Sequence, residues 1–346
     1  MTVWDNVPKG EYHMKLIIQI PCYNEAETLN VALDHLPKQI DGVDEIEYLI
    51  INDGSTDNTV EVARAWGVHH IVNFKKNQGL AKGFIAGLDG CLRCGADIIV
   101  NTDADDQYNG EDIEKIVRPI LDGKADIVIG ARPIDETEHF SYIKKKLQHL
   151  GSWAVRQASS TDIPDAPSGF RAYSKEAAMK MNVVNDYTYT LETIVQAGRE
   201  RIPMTSVPVR TNGELRPSRL INSIWGYVKK SMLTIVRAYI MYKPLMAFSL
   251  LCIPFIATGV AIGIRFLVFI YRGENAGHVQ SLILGCTLIV IGFLILVMGL
   301  LADTIASNRR ILQDVQLHVK NIEYGKSIDE DLKKGKEEHK ENKQPE

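Results

Sequence analysis

Cysteine is scarce in this chain, with five residues in 346: Cys22, Cys91, Cys94, Cys252 and Cys286. Only Cys91 and Cys94 form a C-x-x-C, and no second pair or histidine pair completes a zinc-binding set. The sequence thus lacks a disulfide framework and a zinc site, and Cys91 and Cys94 read as reduced residues late in a helical pattern. Positive charge is not in excess either. A formal net charge of −4 leaves no electrostatic footprint for nucleic acid. No G-x-G-x-x-G follows the first apolar run, which argues against a nicotinamide or flavin Rossmann domain. The G-x-x-x-x-G-K-[ST] of P-loop NTPases is also missing. Met1 to His13 has no apolar centre, so residues 1–14 read as an arm ahead of the first strand rather than a signal peptide.

From Lys15 to about Arg210, strand and helix patterns alternate. Short apolar runs occur at Leu16–Ile20, Tyr48–Ile51, His70–Phe74, Ile98–Val100 and Ile127–Ile129. Helical periodicities lie between them, at Glu25–Leu36, Thr59–Trp66, Leu80–Leu92 and Glu111–Leu121. Continuous apolar strands separated by helices predict a parallel sheet covered on both faces, over residues 15–215. Such sheets bind ligands at the carboxyl ends of their strands. The polar clusters of this chain fall there, after Ile20, Ile51, Val100 and Ile129.

The densest cluster is Asn101-Thr102-Asp103-Ala104-Asp105-Asp106-Gln107. Carboxylates this close repel one another and favour a hard divalent cation bridging to phosphate, although an acidic surface turn fits the same residues. Pro21-Cys22-Tyr23-Asn24-Glu25 can cap a helix, and Tyr23 offers a flat face on which a base could stack. In Asn52-Asp53-Gly54-Ser55-Thr56-Asp57, Gly54 permits a tight turn and Asp57 can start the next helix. Asp53 is left at the strand end to accept from a base or ribose.

Beyond Arg210 the composition changes. Residues 216–243 are basic and amphipathic, with Lys229, Lys230, Arg237 and Lys243 beside apolar residues at helical spacing, which suits a helix at a membrane surface. Leu245 to Ile264 and Ser281 to Ala302 are uncharged and long enough to span a hydrocarbon core, giving two transmembrane helices within 244–302. The loop between them carries Arg272 and Glu274, whereas the opposite flanks carry Lys229, Lys230, Lys243, Arg309 and Arg310. The positive-inside rule then puts the α/β domain and both termini in the cytoplasm. Helical periodicity continues over 303–325. It offers a surface for a second protomer, but no heptad is read over enough turns to assign a homo-oligomer. The Lys/Glu run of 326–346 is expected to be disordered.

P-x-Y-N-E, N-D-G-S-T-D and D-A-D-x-Q on successive strands closely resemble glycosyltransferase family 2, of GT-A type. Further matches are Gly130-Ala131-Arg132 and Asp165-Ala166-Pro167-Ser168-Gly169-Phe170-Arg171. With a basic interfacial helix and two spans, the set is similar to polyprenyl-phosphate glycosyltransferases related to dolichol-phosphate mannosyl- and glucosyltransferases. The resemblance implies a Rossmann-like, mostly parallel sheet followed by the interfacial and membrane helices. It assigns Pro21, Tyr23, Glu25 and Asp53 to the nucleoside of a nucleotide-diphosphate sugar. Asp103, Asp105 and Gln107 become the Mg2+ or Mn2+ and diphosphate group, and Arg132 neutralises the leaving diphosphate. Asp165, Ser168 and Arg171 line the sugar and acceptor side. Lys145 and His149, one helical turn apart, take the places where relatives offer an Arg and a Ser to the lipid phosphate. Lys lacks the planar fork of Arg. Arg216 and Arg219, in the basic loop that covers the donor in relatives, complete the donor and acceptor contacts.

The resemblance implies transfer of one sugar to a polyprenyl phosphate at the cytoplasmic membrane face. A phosphate acceptor is already anionic and can attack in line with inversion, whereas a hydroxyl acceptor would need a base, with Asp165 the first candidate. Processive polysaccharide synthases resemble the chain at its start, but they carry a Q-x-x-R-W motif that is absent here. A catalytically silent nucleotide-binding scaffold is the third reading, and the intact carboxylate set argues against it.

Overall fold

The computed structural model describes residues 13–133, 155–156, 159, 161–183, 189–212, 244–273 and 279–341. Its contacts divide into two compact units, one of residues 1–234 with 317–346 and the other of residues 235–316.

The first unit is built on a seven-stranded sheet. Its strands are β1 (Lys15–Cys22), β2 (Glu45–Asn52), β3 (His70–Asn73), β4 (Ile98–Asn101), β5 (Ile127–Ala131), β6 (Arg171–Ser174) and β7 (Met204–Pro208). Their order is β3-β2-β1-β4-β6-β5-β7, and only β6 runs antiparallel to its neighbours. The expected α/β, mostly parallel GT-A sheet is present. Leu16, Ile17, Ile18 and Ile20 of β1 are all fully buried, as a strand covered on both faces requires. The chain turns outward from β1 in both directions, to β2 on one side and β4 on the other. The loops after these three strands therefore emerge at one edge, at a topological switch point.

Helices α1 (Leu29–Asp34), α2 (Thr59–Trp66), α3 (Leu80–Arg93), α4 (Ile113–Leu121), α5 (Lys175–Lys180) and α6 (Thr190–Glu200) accompany the sheet. Gly87 lets α3 lie directly on β1, since a Cβ there would come within 2.3 Å of Gln19 Oε1. Helix α1 is shorter than the predicted Glu25–Leu36. The carbonyl of Glu25 first accepts from the N–H groups of Thr28 and Leu29, so residues 26–28 form a turn and the helix begins at Leu29. Helix α6 buries eight consecutive residues, Thr190 to Ala197, and so is enclosed on all sides.

The second unit is formed by α7 (Pro244–Tyr271) and the membrane-length part of α8 (Val279–Glu341). Gly285, Gly292 and Gly299 recur every seven residues and allow the two helices to touch. A Cβ at Gly292 would lie 2.5 Å from Ile256 Cγ1, and one at Gly299 would lie 2.8 Å from Phe248 Cβ. Away from this contact the apolar side chains are open, with Leu250 70%, Leu267 64% and Ile283 61% exposed. Both helices are long and apolar enough to cross a membrane, and only 11% and 17% of their most apolar windows is buried. That exposure distinguishes them from the core helices of a soluble protein.

One expectation for the C-terminal part changes. The interfacial helix of 216–243 lies outside the described residues. The run from 326, expected to be disordered, continues α8 as helix to Glu341. Lys and Glu are strong helix formers, and no proline interrupts the run before Pro345. Within the first unit, α8 is tied to α3: Tyr324 is buried and donates to Asp89, and Arg93 pairs with Glu323 at 2.7 Å.

Candidate active site

The turns leaving β1 and β2 interlock. Asn24 takes a left-handed conformation (φ 55°), and its Oδ1 accepts from the Thr56 N–H at 2.8 Å. In return the N–H groups of Asn24, Glu25 and Ala26 donate to Ser55 Oγ at 3.0 Å, Thr59 Oγ1 at 2.9 Å and Asp57 Oδ2 at 3.1 Å. Burial opposes the charge of Asp57, but bonds from Thr59 and Ala26 hold its carboxyl below the ordinary range. The two turns make one surface on which Tyr23 is 41% exposed. Gly54 has φ +70°, and any Cβ would press to 2.5 Å of the Lys76 carbonyl carbon, so only glycine lets that neighbouring loop close in. Asp53 is buried, and its carboxylate accepts the N–H of Gln78 at 2.7 Å and of Gly79 at 2.9 Å, where α3 begins.

Beyond β4 the burial alternates. Asp103, Asp105 and Gln107 are half-buried, whereas Ala104, Asp106 and Tyr108 between them are buried. The first three thus keep accessible surface. Asp106 adopts φ 56° and turns inward, with Oδ2 2.9 Å from His35 Nδ1. The residues after β7 hold the loop from beneath. Asn212 donates its side-chain amide to the Asp106 carbonyl at 3.0 Å and its N–H to the Gln107 carbonyl at 2.9 Å. Arg210 donates to buried Asp112 through its N–H at 2.6 Å, Nη2 at 2.7 Å and Nε at 3.0 Å. Burial works against the Asp112 charge, but the bonds from Arg210 bring its carboxyl down to about 2.

A buried polar network links β4 to the loop entering β6. Gln19 Nε2 donates to Asn101 Oδ1 at 2.9 Å, and Asn101 Nδ2 donates to the Gly169 carbonyl and the Tyr189 hydroxyl, each at 2.9 Å. Tyr189 stacks on Phe84 of α3 with ring centroids 3.9 Å apart. The network draws Gly169 so close to Asp103 that a Cβ would lie 3.5 Å from Asp103 Oδ1. On the same side Arg132 grips Asp165 with both prongs of its guanidinium, Nε to Oδ2 at 2.7 Å and Nη2 to Oδ1 at 3.0 Å. The Arg132 N–H adds a third bond to Oδ2 at 3.2 Å. Burial would weaken the Arg132 charge, but Tyr108, Asp165 and Asp103 outweigh it and hold the guanidinium protonated. Carboxylate and amide oxygens on an open face suit a divalent cation, and the fixed guanidinium beside them suits the phosphates it would carry.

The glycosyl transferase family 2 profile matches residues 17–181. An uncharacterized protein of Methanocaldococcus jannaschii, MJ1222, is 31% identical over 222 residues, which cover 62% of this chain and 88% of the relative. The chain belongs to glycosyl transferase family 2. A second relative of this glycosyltransferase is the UDP-N-acetylglucosamine–dolichyl-phosphate N-acetylglucosaminyltransferase of Methanococcus voltae. It is 27% identical over 213 residues, covering 56% of this chain and 83% of that protein. Among solved structures, glucosyl-3-phosphoglycerate synthase of Mycobacterium tuberculosis, in complex with Mn2+, UDP and glucosyl-3-phosphoglycerate, shares the fold. Its TM-score is 0.51 at 19% identity, with 64% of this chain and 80% of that chain covered.

The structure of the glycosyltransferase divides the expected site residues by their surroundings. Tyr23, Asp103, Asp105 and Gln107 keep accessible surface, and Pro21 lies half-buried at the end of β1. Glu25 is buried and accepts from Thr28 Oγ1 at 3.1 Å. Asp53, expected to accept from a base or ribose, accepts the N–H groups of Gln78 and Gly79, which lead into α3. Arg171 was expected to meet the acceptor, and this is corrected. It is fully buried, and its guanidinium donates to the carbonyls of Ser168 and Ala166, each at 2.8 Å, and to Thr193 Oγ1 at 2.7 Å. Ser168, also expected on the acceptor side, is fully buried. Lys145, His149, Arg216 and Arg219 lie outside the described residues. Reading the sequence passed over Gln19, Asp112 and Asn212, and gave Asn101 no role of its own within the acidic stretch. A polar residue inside an otherwise apolar strand, as at Gln19, is the one signal that pointed to the network.

Proposed function

We propose that this glycosyltransferase moves a single sugar from a nucleotide-diphosphate sugar to the phosphate of a polyprenyl phosphate, dolichyl or undecaprenyl, with inversion. The observation that carries the reading is the state of Asp165. Its two oxygens already accept three bonds from Arg132, which makes it a poor base for a hydroxyl acceptor. A phosphate acceptor needs none. Its oxygen forms the new bond to the anomeric carbon while the bond to the donor diphosphate breaks, and the electron pair leaves with the diphosphate. No proton has to move. The name of the Methanococcus voltae relative, with a dolichyl-phosphate acceptor, supports the same choice.

The residues after β4 fit a divalent cation of the Mg2+ or Mn2+ kind. Asp103, Asp105 and Gln107, each with accessible surface, offer hard oxygen donors on one loop. Among the described residues no three His, Cys, Asp or Glu side chains gather into a closed cation site. Substrate phosphates can supply the remaining ligands of such a cation. Such a cation, when bound, supplies charge stabilisation to the departing diphosphate. Arg132, held in place by Asp165, would meet the departing diphosphate through the guanidinium N–H groups that Asp165 does not take. Tyr23 offers its ring to the base.

The same proposal places the enzyme in the cell membrane with two spans, its catalytic unit and both termini on the cytoplasmic side. The basic flanks of the spans support that orientation. The deciding experiment incubates the purified full chain in detergent with a panel of nucleotide sugars, polyprenyl phosphate and Mg2+ or Mn2+. Mass spectrometry then weighs the lipid. One added sugar is expected. A polymer would indicate a processive synthase, and no glycolipid from any donor would indicate a nucleotide-binding scaffold.

A further inference from the structure

Past its membrane-length part, α8 is amphipathic in an inverted sense. One side carries Ala306, Gln313 and Lys320, all half-buried. The opposite side carries large apolar residues in the open. Ile305, Leu312 and Val319 recur every seven residues and are 69%, 68% and 55% exposed. Leu301, Val315 and Ile322 recur on the same spacing around exposed Asn308 and are 61%, 55% and 59% exposed. These are alternating steps of three and four residues over three heptads, the a/d seam of a coiled coil. The uniformly apolar span hides the start of this repeat in the sequence, because every position there is hydrophobic.

We propose that this seam packs against the same helix of a second copy of the chain, in parallel. A lipid surface fits the pattern less well for three reasons. A helix lying on a bilayer presents a wide apolar face of period 3.6 with cations opposite, whereas a strict seven-residue repeat tracks a supercoiled partner. The segment shows no cationic excess, as Asp303, Asp314 and Glu323 offset Arg309, Arg310 and Lys320. No proline or glycine interrupts α8 between Gly299 and Gly325, and Leu312 to Ile322 lie roughly 15 to 30 Å along the helix axis beyond Ala302. That exceeds the depth of a headgroup layer, about 5 to 8 Å on each side of the hydrocarbon.

The seam complements itself. In a parallel, in-register pair the residues flanking it face each other as Thr304 with Arg309, Ile311 with Gln316 and His318 with Glu323, with no like charges opposed. Asn308 meets its own counterpart, the arrangement by which a single polar seam residue fixes register. Two copies inserted the same way into one membrane are already parallel. The glycine face that contacts α7 is a different face of α8, so both contacts can form together.

The test uses the full chain, with Cys286→Ser to remove an exposed thiol. Val315→Cys on the seam and Ser307→Cys off it, at another exposed position, are each treated with a short bismaleimide in phospholipid vesicles. A cross-linked species of two protomers is expected from Val315→Cys, at least five-fold above that from Ser307→Cys. In detergent, light scattering should give the wild type a protein mass of two or more protomers. The double variant Leu312→Glu/Val319→Glu should give one, with unchanged far-ultraviolet circular dichroism and thermal midpoint. Equal cross-linking at both positions, or a single-protomer mass for the wild type, overturns the proposal. An unaltered mass of the folded glutamate variant shows that the face does not join two copies and overturns it too. Where that variant does not fold, the cross-linking comparison decides alone.

Discussion

The loop after β4 and the loop entering β6 carry similar residues and treat them in opposite ways. Between Asn101 and Gly110 every second side chain keeps accessible surface, and among the described residues Asp105 accepts one long bond, from the Gln107 N–H at 3.3 Å. Between Asp165 and Arg171 nearly everything is buried, with Asp165 at 1% and Ala166, Ser168, Phe170 and Arg171 at 0% exposure. Its charged groups are taken up by the protein itself. The first loop presents oxygens to something outside the chain, and the second uses its charges to hold a surface in place. Residue type alone does not separate these roles. The number of internal partners does.

The largest effect that would test this contrast comes from Arg171→Met. It removes three hydrogen bonds, two of them to buried backbone carbonyls. Unfolding in urea should show a loss of about 3–5 kcal/mol. Unchanged stability with a raised KM for lipid phosphate would restore Arg171 to the acceptor and break the comparison. Next is Asp105→Ala, where transfer should fall on the order of 10²- to 10³-fold while the thermal midpoint stays put. Excess EDTA should silence the wild type to the same degree, and near-normal turnover of the variant would remove Asp105 from the site. Asp53→Asn should cost about 1–2 kcal/mol of stability through the start of α3. A large loss of nucleotide affinity with no stability change would return Asp53 to the donor.

The smallest effect is acid sensitivity at Asp112. Its folded carboxyl titrates at about 2, below the ordinary 3.8. The unfolded chain therefore binds this proton first as pH falls. The stabilisation is complete above the unfolded value and drains away as pH drops toward the folded one. Replacement by Asn should remove about 1–2 kcal/mol near neutral pH and flatten the acid limb between pH about 4 and about 2. An unaltered acid limb, measured by thermal melts across that window, would show that the Arg210 bond is not what depresses the carboxyl.

Strands β1 to β5 were legible because buried parallel strands are written as unbroken apolar runs. Strand β6 was not, since Arg-Ala-Tyr-Ser contains a charge that the fold buries and satisfies with carbonyls. Strand β7 sits at the sheet edge and reads Met-Thr-Ser-Val-Pro, too polar to stand out. At the site, order and spacing along the chain identified the strand ends correctly. They could not tell an arginine that faces a ligand from one that braces a loop. Asn101 and Tyr189 are 88 residues apart, and no local pattern announces that they meet. The same limit applied to α8, where only the exposed face revealed which of many apolar residues repeat.

The Asn212 clamp has a consequence for the basic segment that follows it. Because Asn212 is bonded to the backbone of the loop after β4, the chain leaves that loop on a fixed anchor. Arg216 comes four residues later, so its Cα can never be more than about 14 Å from that anchor. On the proposed function, that short covalent tether keeps the Arg216 charge within reach of a diphosphate bound at the loop.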